Sequence, residues 1–188
     1  QVRGHGDIAR FLLARLFYND GLVTLFAVGG IYAKTTFGMT TAEVLQFGVG
    51  INVTAGLGAF AFAWIDDWIG SKRTILISLA GLIIVAAGVL SAETTLAFLI
   101  WGSALGIFVG PVQAASRSMM AHLAPQGLET EMFGLFAFSG KATAFIGPLV
   151  FAAVTALTAS QRWGMATILV FFAAGGALLF TVTDARRG

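Results

Sequence analysis

Long apolar runs separated by short polar breaks dominate this chain. Uncharged stretches cover Val44–Ile65, Thr74–Ala92, Thr94–Ser116, Ala142–Gln161 and Trp163–Thr183. A helix needs about 20 apolar residues to cross the hydrocarbon core of a bilayer. A further apolar segment, Ile8–Ala33, is interrupted by Arg10, Arg15 and Asp20, and the run ending at Gln161 reaches back to Met132 if Lys141 is accepted inside it. Six spans are predicted, at approximately 8–33, 42–65, 74–91, 95–123, 131–157 and 163–183. The runs are too long for strands and lack a two-residue alternation, which also rejects a membrane β-barrel. The expected fold is an all-α membrane protein, a single bundle of six transmembrane helices over residues 1–188.

Each break has a cause. Ile65–Arg73 places Asp66, Asp67, Lys72, Arg73 and Gly70 between two spans. Ser91–Thr94 and Thr158–Arg162 are short polar turns, and Ala124-Pro125-Gln126-Gly127 pairs a helix-ending proline with a turn-forming glycine. With six spans, Arg3, Arg10, Lys72, Arg73, Arg117, Arg186 and Arg187 fall on one side, and only Lys34 and Arg162 on the other. That bias predicts both termini in the cytoplasm of a plasma or inner membrane.

Composition agrees with lipid as the solvent: 57% of residues are hydrophobic and 11% charged, against about 25% charged in soluble domains. The net charge of +2 is small and its cations are scattered, so no nucleic-acid partner is expected. There is no cysteine, and the two histidines, His5 and His122, are far apart, so neither a metal site nor a cofactor is expected. The chain starts at Gln1, as expected of a processed chain or a fragment, and Gln1–Arg10 is too polar for a signal peptide.

Charged residues within spans cost about 2.5–3.5 kcal/mol each on insertion scales, so they call for a reason. Span 1 holds Arg15, Asn19 and Asp20, span 2 Gln46 and Asn52, span 4 Gln113 and Arg117, and span 5 Lys141. Spans 3 and 6 hold no ionisable residue in their apolar runs. This distribution fits two inverted three-helix repeats, in which the third helix of each is an apolar, lipid-facing support and the polar helices line a cavity. At 1.5 Å per residue, Asp20 lies about 14 Å and Lys141 about 12 Å into their spans from the same side. The pair is expected to face a common cavity, as an ion pair or a substrate clamp; a structural salt bridge is the simpler reading. Arg15 and Asn19 share a helix face, as do Gln113 and Arg117, although snorkelling to the headgroups would account for either arginine.

Among 24 glycines, Gly102, Gly106 and Gly110 mark one face of span 4, and Gly48, Asn52 and Gly56 one face of span 2. Small residues at this spacing let helices approach closely. Pro111 and Pro148, each after a glycine, remove a backbone donor and are candidate hinges.

The loop Ala63-Trp64-Ile65-Asp66-Asp67-Trp68-Ile69-Gly70-Ser71-Lys72-Arg73 resembles the major facilitator signature: Asp67, Gly70, Lys72 and Arg73 match its acid, glycine and basic end, whereas Ala63, Trp68 and Ser71 depart from it. The strings Gly110–Pro125 and Phe133–Pro148, with Asn19-Asp20-Gly21, are similar to the branch that includes vacuolar amino-acid effluxers and their bacterial relatives, the unknown major facilitator family. The resemblance covers the second half of such a transporter, so spans 1 to 6 would be helices seven to twelve.

It implies a secondary transporter for a small solute, such as an amino acid or related metabolite, working by alternating access. The substrate or coupling cavity would involve Arg15, Asn19, Asp20, Asn52, Gln113 and Lys141. The cytoplasmic gate would involve Asp67, Gly70, Lys72, Arg73 and Arg117, with Asp67 facing the start of span 5. A missing amino-terminal six-helix half, or a second copy, would complete the cavity. The alternative is a six-helix channel or scaffold acting as a homo-oligomer. An enzyme is not expected: there is no G-x-S-x-G or H-E-x-x-H string, and Ser116 and His122 do not share a helix face. The repeated P-x-[DE]-x-x-[KR] loops of mitochondrial carriers are missing.

Overall fold

The computed structural model describes residues 2–183, with side chains from Gly6 onward. The side chain of Arg3 and the tail cations Arg186 and Arg187, used above for orientation, lie outside the described residues. Seven helices are present among the described residues: α1 (Val2–Phe37), α2 (Thr41–Ile69), α3 (Ser71–Ser91), α4 (Thr95–Leu123), α5 (Glu129–Ala142), α6 (Ile146–Thr158) and α7 (Gln161–Phe180). Counting α5 and α6 as one broken span, six are long and apolar enough to cross a membrane. No strand occurs among the described residues.

Local chemistry sets the helix ends. Thr40 caps α2: its hydroxyl accepts from the Glu43 amide, and the Glu43 carboxylate accepts from the Thr40 amide at 2.7 Å, a reciprocal capping box. The Thr94 hydroxyl caps α4 by accepting from Ala97 N at 3.2 Å. Gly70 joins α2 to α3 with φ 92° and ψ 152°, a conformation essentially reserved for glycine.

The packing pattern repeats. α1 packs on α7 as α4 packs on α3, and α3 packs on α7. Span 1 thus relates to span 6 as span 4 relates to span 3, the pairing of two three-helix units. The core runs through this arrangement, with Phe11, Tyr18, Leu79, Leu82, Val112, Met120 and Phe172 buried.

Two expectations change here. The apolar third helices, α3 and α7, are not the outermost ones; half of the most apolar stretch of α3 is buried. The least covered are the second helices of each triplet, α2 and the α5–α6 pair, and α2 leaves Leu45, Val49, Val53, Leu57, Phe60 and Trp64 exposed along one side. Apolarity reports the absence of water; whether a helix neighbour or lipid replaces it is decided by packing. The two glycine faces also differ. A Cβ at Gly102 would collide with the Phe47 ring, at Gly106 with Thr54 Oγ1, and at Gly110 with the Ala55 carbonyl, so this face is the close α2–α4 contact. Gly48 and Gly56 meet nothing within 4 Å, so their face of α2 is not a packing surface within this chain.

The two prolines diverge as well. Pro111 lies inside an unbroken α4. Pro148 is the third residue of α6, and the chain breaks just before it, at residues 143–145. A proline at 148 cannot donate to the Ala144 carbonyl, and its ring crowds that oxygen. The chain instead turns through tighter bonds, Ala144 N to Lys141 O at 3.3 Å and Ile146 N to Thr143 O at 2.8 Å.

Candidate functional site

One face of α1 carries Arg15, Tyr18, Asn19, Leu22, Val23 and Phe26, at the three- and four-residue spacings that bring side chains together on a helix. Opposite stand Val112, Gln113, Ser116 and Arg117 of α4, and Phe136 of α5 closes one side. Together they line a cavity of about 280 Å³.

Its polar wall is held by specific bonds. The Arg15 guanidinium lies over the Phe136 ring, 3.6 Å from the centroid, and donates to the Phe136 carbonyl at 2.7 Å and to Ser139 Oγ at 3.1 Å. Stacking on an aromatic face and donation to a carbonyl together fix a cation that would otherwise sample many rotamers. Asn19 Nδ2 donates to the Gly140 carbonyl at 2.9 Å. The Tyr18 and Ser116 hydroxyls are hydrogen-bonded at 2.7 Å, tying α1 to α4. Two guanidinium groups line this cavity and no acidic residue does. Such a wall suits an anionic group, above all a planar carboxylate that an arginine can hold by two parallel bonds.

Arg15, Asn19, Gln113 and Arg117 are thus brought together. Asp20, Asn52 and Lys141 are not. Asp20 points from the neighbouring face of α1 toward α6, where it is 2% exposed and its Oδ2 accepts from Gly147 N at 3.0 Å. Lys141 is exposed and makes no ion pair with Asp20. The expected Asp20–Lys141 pair therefore does not form here. Equal depth along two helices says nothing about rotation, and these two residues point in different directions. Asn52 lines a separate, more apolar pocket of about 150 Å³ between α1, α2 and α4, and its Nδ2 donates back to the Gly48 carbonyl at 2.8 Å.

The residues of the signature loop are spread over several contacts. Lys72 Nζ donates to the Phe180 carbonyl at 3.0 Å and to the Val182 carbonyl, so it caps the carboxyl end of α7, where a cation is favoured. Arg73 is exposed. Ser71 Oγ donates to Ser118 Oγ at 3.0 Å, a second tie to α4. Asp66 and Asp67 line a small cavity with Pro111, Ala114 and Ala115 of α4. This cavity places Asp67 beside the middle of span 4.

Tyr18, Ser116, Phe136 and Ser139 were missed in the sequence. Tyr18 follows Arg15 by three residues and Ser116 follows Gln113 by three, so face spacing was the available signal. Phe136 carried none, because an aromatic residue in an apolar span looks like any other.

The model of the family described as "Vacuole effluxer Atg22 like" matches residues 1–188. Autophagy-related protein 22 of Candida glabrata is 28% identical over 97% of this chain and 36% of its own length. Autophagy-related protein 22 of Cryptococcus neoformans is 26% identical over 90% of the chain and 33% of its own length. The "Uncharacterized MFS-type transporter YxiO" of Bacillus subtilis is 26% identical over 98% of the chain and 43% of its own length. The chain therefore spans less than half the length of the curated relatives it matches. The resemblance read from the signature loop and from the two strings ending at Pro125 and Pro148 points the same way as these matches. A six-span helical bundle matched by one family model along its whole length, with fungal and bacterial relatives aligned over nearly all of it, belongs to the vacuole effluxer Atg22-like family of major facilitator-type proteins.

Proposed function

We propose that this chain is the carboxy-terminal half of a secondary transporter that moves a small carboxylate-bearing solute by alternating access, without catalysis. The observation that carries this reading is the cavity between α1, α4 and α5, where Arg15 and Arg117 stand with Asn19 and Gln113 and no acid. Polar groups at membrane depth are costly, and two cations around one space are best accounted for by an anionic visitor. Amino acids and related metabolites carry such a group.

The uncovered side of α2 supports a second six-helix bundle as the partner that completes the cavity. The greater length of the relatives leaves room for that bundle in the same chain. A second copy of this chain is the other candidate. Both termini would lie in the cytoplasm, with Lys72, Arg73 and Arg117 on that side, in a plasma or inner membrane. In this reading Gly70 and Lys72 join α2, α3 and α7 into one rigid unit at the cytoplasmic gate, which Asp67 and Arg73 share, and the α5–α6 break is the bending point.

The test is uptake by the full-length protein in proteoliposomes with a panel of radiolabelled amino acids and dicarboxylates. Saturable uptake is expected, with competition by carboxylates but not by their amides, and with KM raised about tenfold or more by Arg117→Gln. Flux that rises linearly without saturation would instead identify a channel. Clean assembly with no flux would identify a scaffold.

A further inference from the structure

We propose that Asp20 is a proton-carrying site, sealed by the first turn of α6 and opened when the α5–α6 break moves; the proposal deepens the transporter reading and rests on it. Asp20 is buried within this half of the protein, between α1 and α6, so its surroundings do not depend on what covers α2. One carboxylate oxygen, Oδ2, accepts from Gly147 N; the other, Oδ1, is buried and has no hydrogen-bond partner. Nearby, Thr24 is fully buried, and its hydroxyl proton is already given to the Asp20 carbonyl at 2.7 Å, so its oxygen lone pairs remain. Both Asp20 Oδ1 and Thr24 Oγ1 border the point where a side chain at Gly147 would stand.

Among the described residues, no countercharge faces this carboxyl. α6 has no ionisable residue. The only one on α7, Arg162, bonds to the Ala92 carbonyl at the far end of that helix. On α1, Arg15 is committed to Phe136 and Ser139 of α5. On α5, Lys141 is exposed, and Glu129 and Glu131 lie in its first turn. On α4, Arg117 lines the solute cavity. A buried carboxylate without a countercharge is strongly disfavoured, and a single amide donor does not offset this. Something positive must join it. A metal cation needs several oxygen ligands, whereas Asp20 Oδ1 and Thr24 Oγ1 offer two, and no cluster of metal-binding side chains occurs among the described residues. A proton needs one oxygen, and Oδ1 is a buried oxygen that no donor of the described residues occupies.

The seal is a movable one. Gly147 is the second residue of α6, immediately after the break at 143–145, and only a glycine lets the helix approach, since a Cβ there would collide with Thr24 Oγ1. Rotation of α6 at the break removes the Gly147 donor and admits water, which is the condition for the proton to leave. Movement of α5 at the same break also disturbs Ser139 and Gly140, the partners of Arg15 and Asn19 in the solute cavity. One hinge thereby couples the two sites.

Two readouts on the full-length protein test this. In lipid nanodiscs, infrared spectra at neutral pH should show a protonated-carboxyl band that Asp20→Asn removes and that exchanging sodium for choline leaves unchanged. In proteoliposomes, Asp20→Asn should retain solute exchange at equal pH but lose accumulation driven by a pH gradient, while Asp20→Glu retains part of it. Absence of the band, its loss in sodium, or undiminished gradient-driven accumulation by Asp20→Asn would overturn the proposal. If the wild type exchanged no solute at all, the transporter reading would fail, and the band alone would still decide whether Asp20 carries a proton.

Discussion

Gly58 of α2 sits directly against the carbonyl of Ile107 on α4, so closely that a Cβ on Gly58 would overlap that oxygen. Ile107 is four residues before Pro111, which has no N–H to give it. A carbonyl freed by a proline is thus covered by the backbone of the neighbouring helix at a point where only glycine permits the approach.

The first prediction follows from that contact. Gly58→Val should force α2 and α4 apart and lower stability by about 1–3 kcal/mol, the usual cost of overpacking. Gly48→Ala, with nothing within 4 Å of its Cβ, should leave stability unchanged or slightly raised. Thermal unfolding in detergent, followed by circular dichroism, checks both; equal effects would contradict the α2–α4 geometry.

A second prediction concerns Arg15. Its guanidinium is used as a plane, stacked on Phe136, while one nitrogen, Nη1, donates to two oxygens. Lysine keeps the charge but cannot stack as a plane on the ring. Arg15→Lys should therefore lose about tenfold or more in kcat/KM for uptake, about 1.4 kcal/mol, and Arg15→Ala should lose more. Near wild-type uptake by Arg15→Lys would mean that only the charge matters.

The α2–α3 junction gives a third. Gly70 at φ 92° has no unstrained replacement, so Gly70→Ala should cost about 1–3 kcal/mol in thermal stability. Lys72→Gln should release the carboxyl end of α7, worth about 0.3–1 kcal/mol, and speed hydrogen exchange at residues 178–183. Arg73→Gln, at an exposed position, should change neither.

The broken span gives a fourth. Pro148→Ala restores an N–H that can reach the Ala144 carbonyl, so amides over 143–148 should exchange more slowly as the break shortens. If bending there drives transport, uptake should fall while thermal stability rises. Pro111→Ala should leave exchange around residues 143–148 unaltered, because α4 is already continuous.

The six spans were legible because their cause is local. Helix length against bilayer thickness, charges at Asp66–Arg73, and Pro125-Gly127 act within a few residues, and the observed ends fall within a few residues of those read from the chain. Gly102, Gly106 and Gly110 announced a close helix contact for the same reason, since a bare face is visible in the spacing. The gathering of Arg15, Asn19, Gln113 and Arg117 was partly legible too, because each pair shares a face of its own helix.

Tertiary structure decided what one helix cannot know about another. It separated Lys141 from Asp20, which equal depth had joined, and gave Asp20 a backbone amide of α6 instead. It left Gly48 and Gly56 uncovered while burying Gly106. It moved the break in span 5 ahead of Pro148 and left Pro111 in a straight helix. The sequence determines how far along a span each group lies and which neighbours on that helix share its face. The rotation of each helix about its axis follows from the sum of many small contacts with the others, and that sum decides which charges meet.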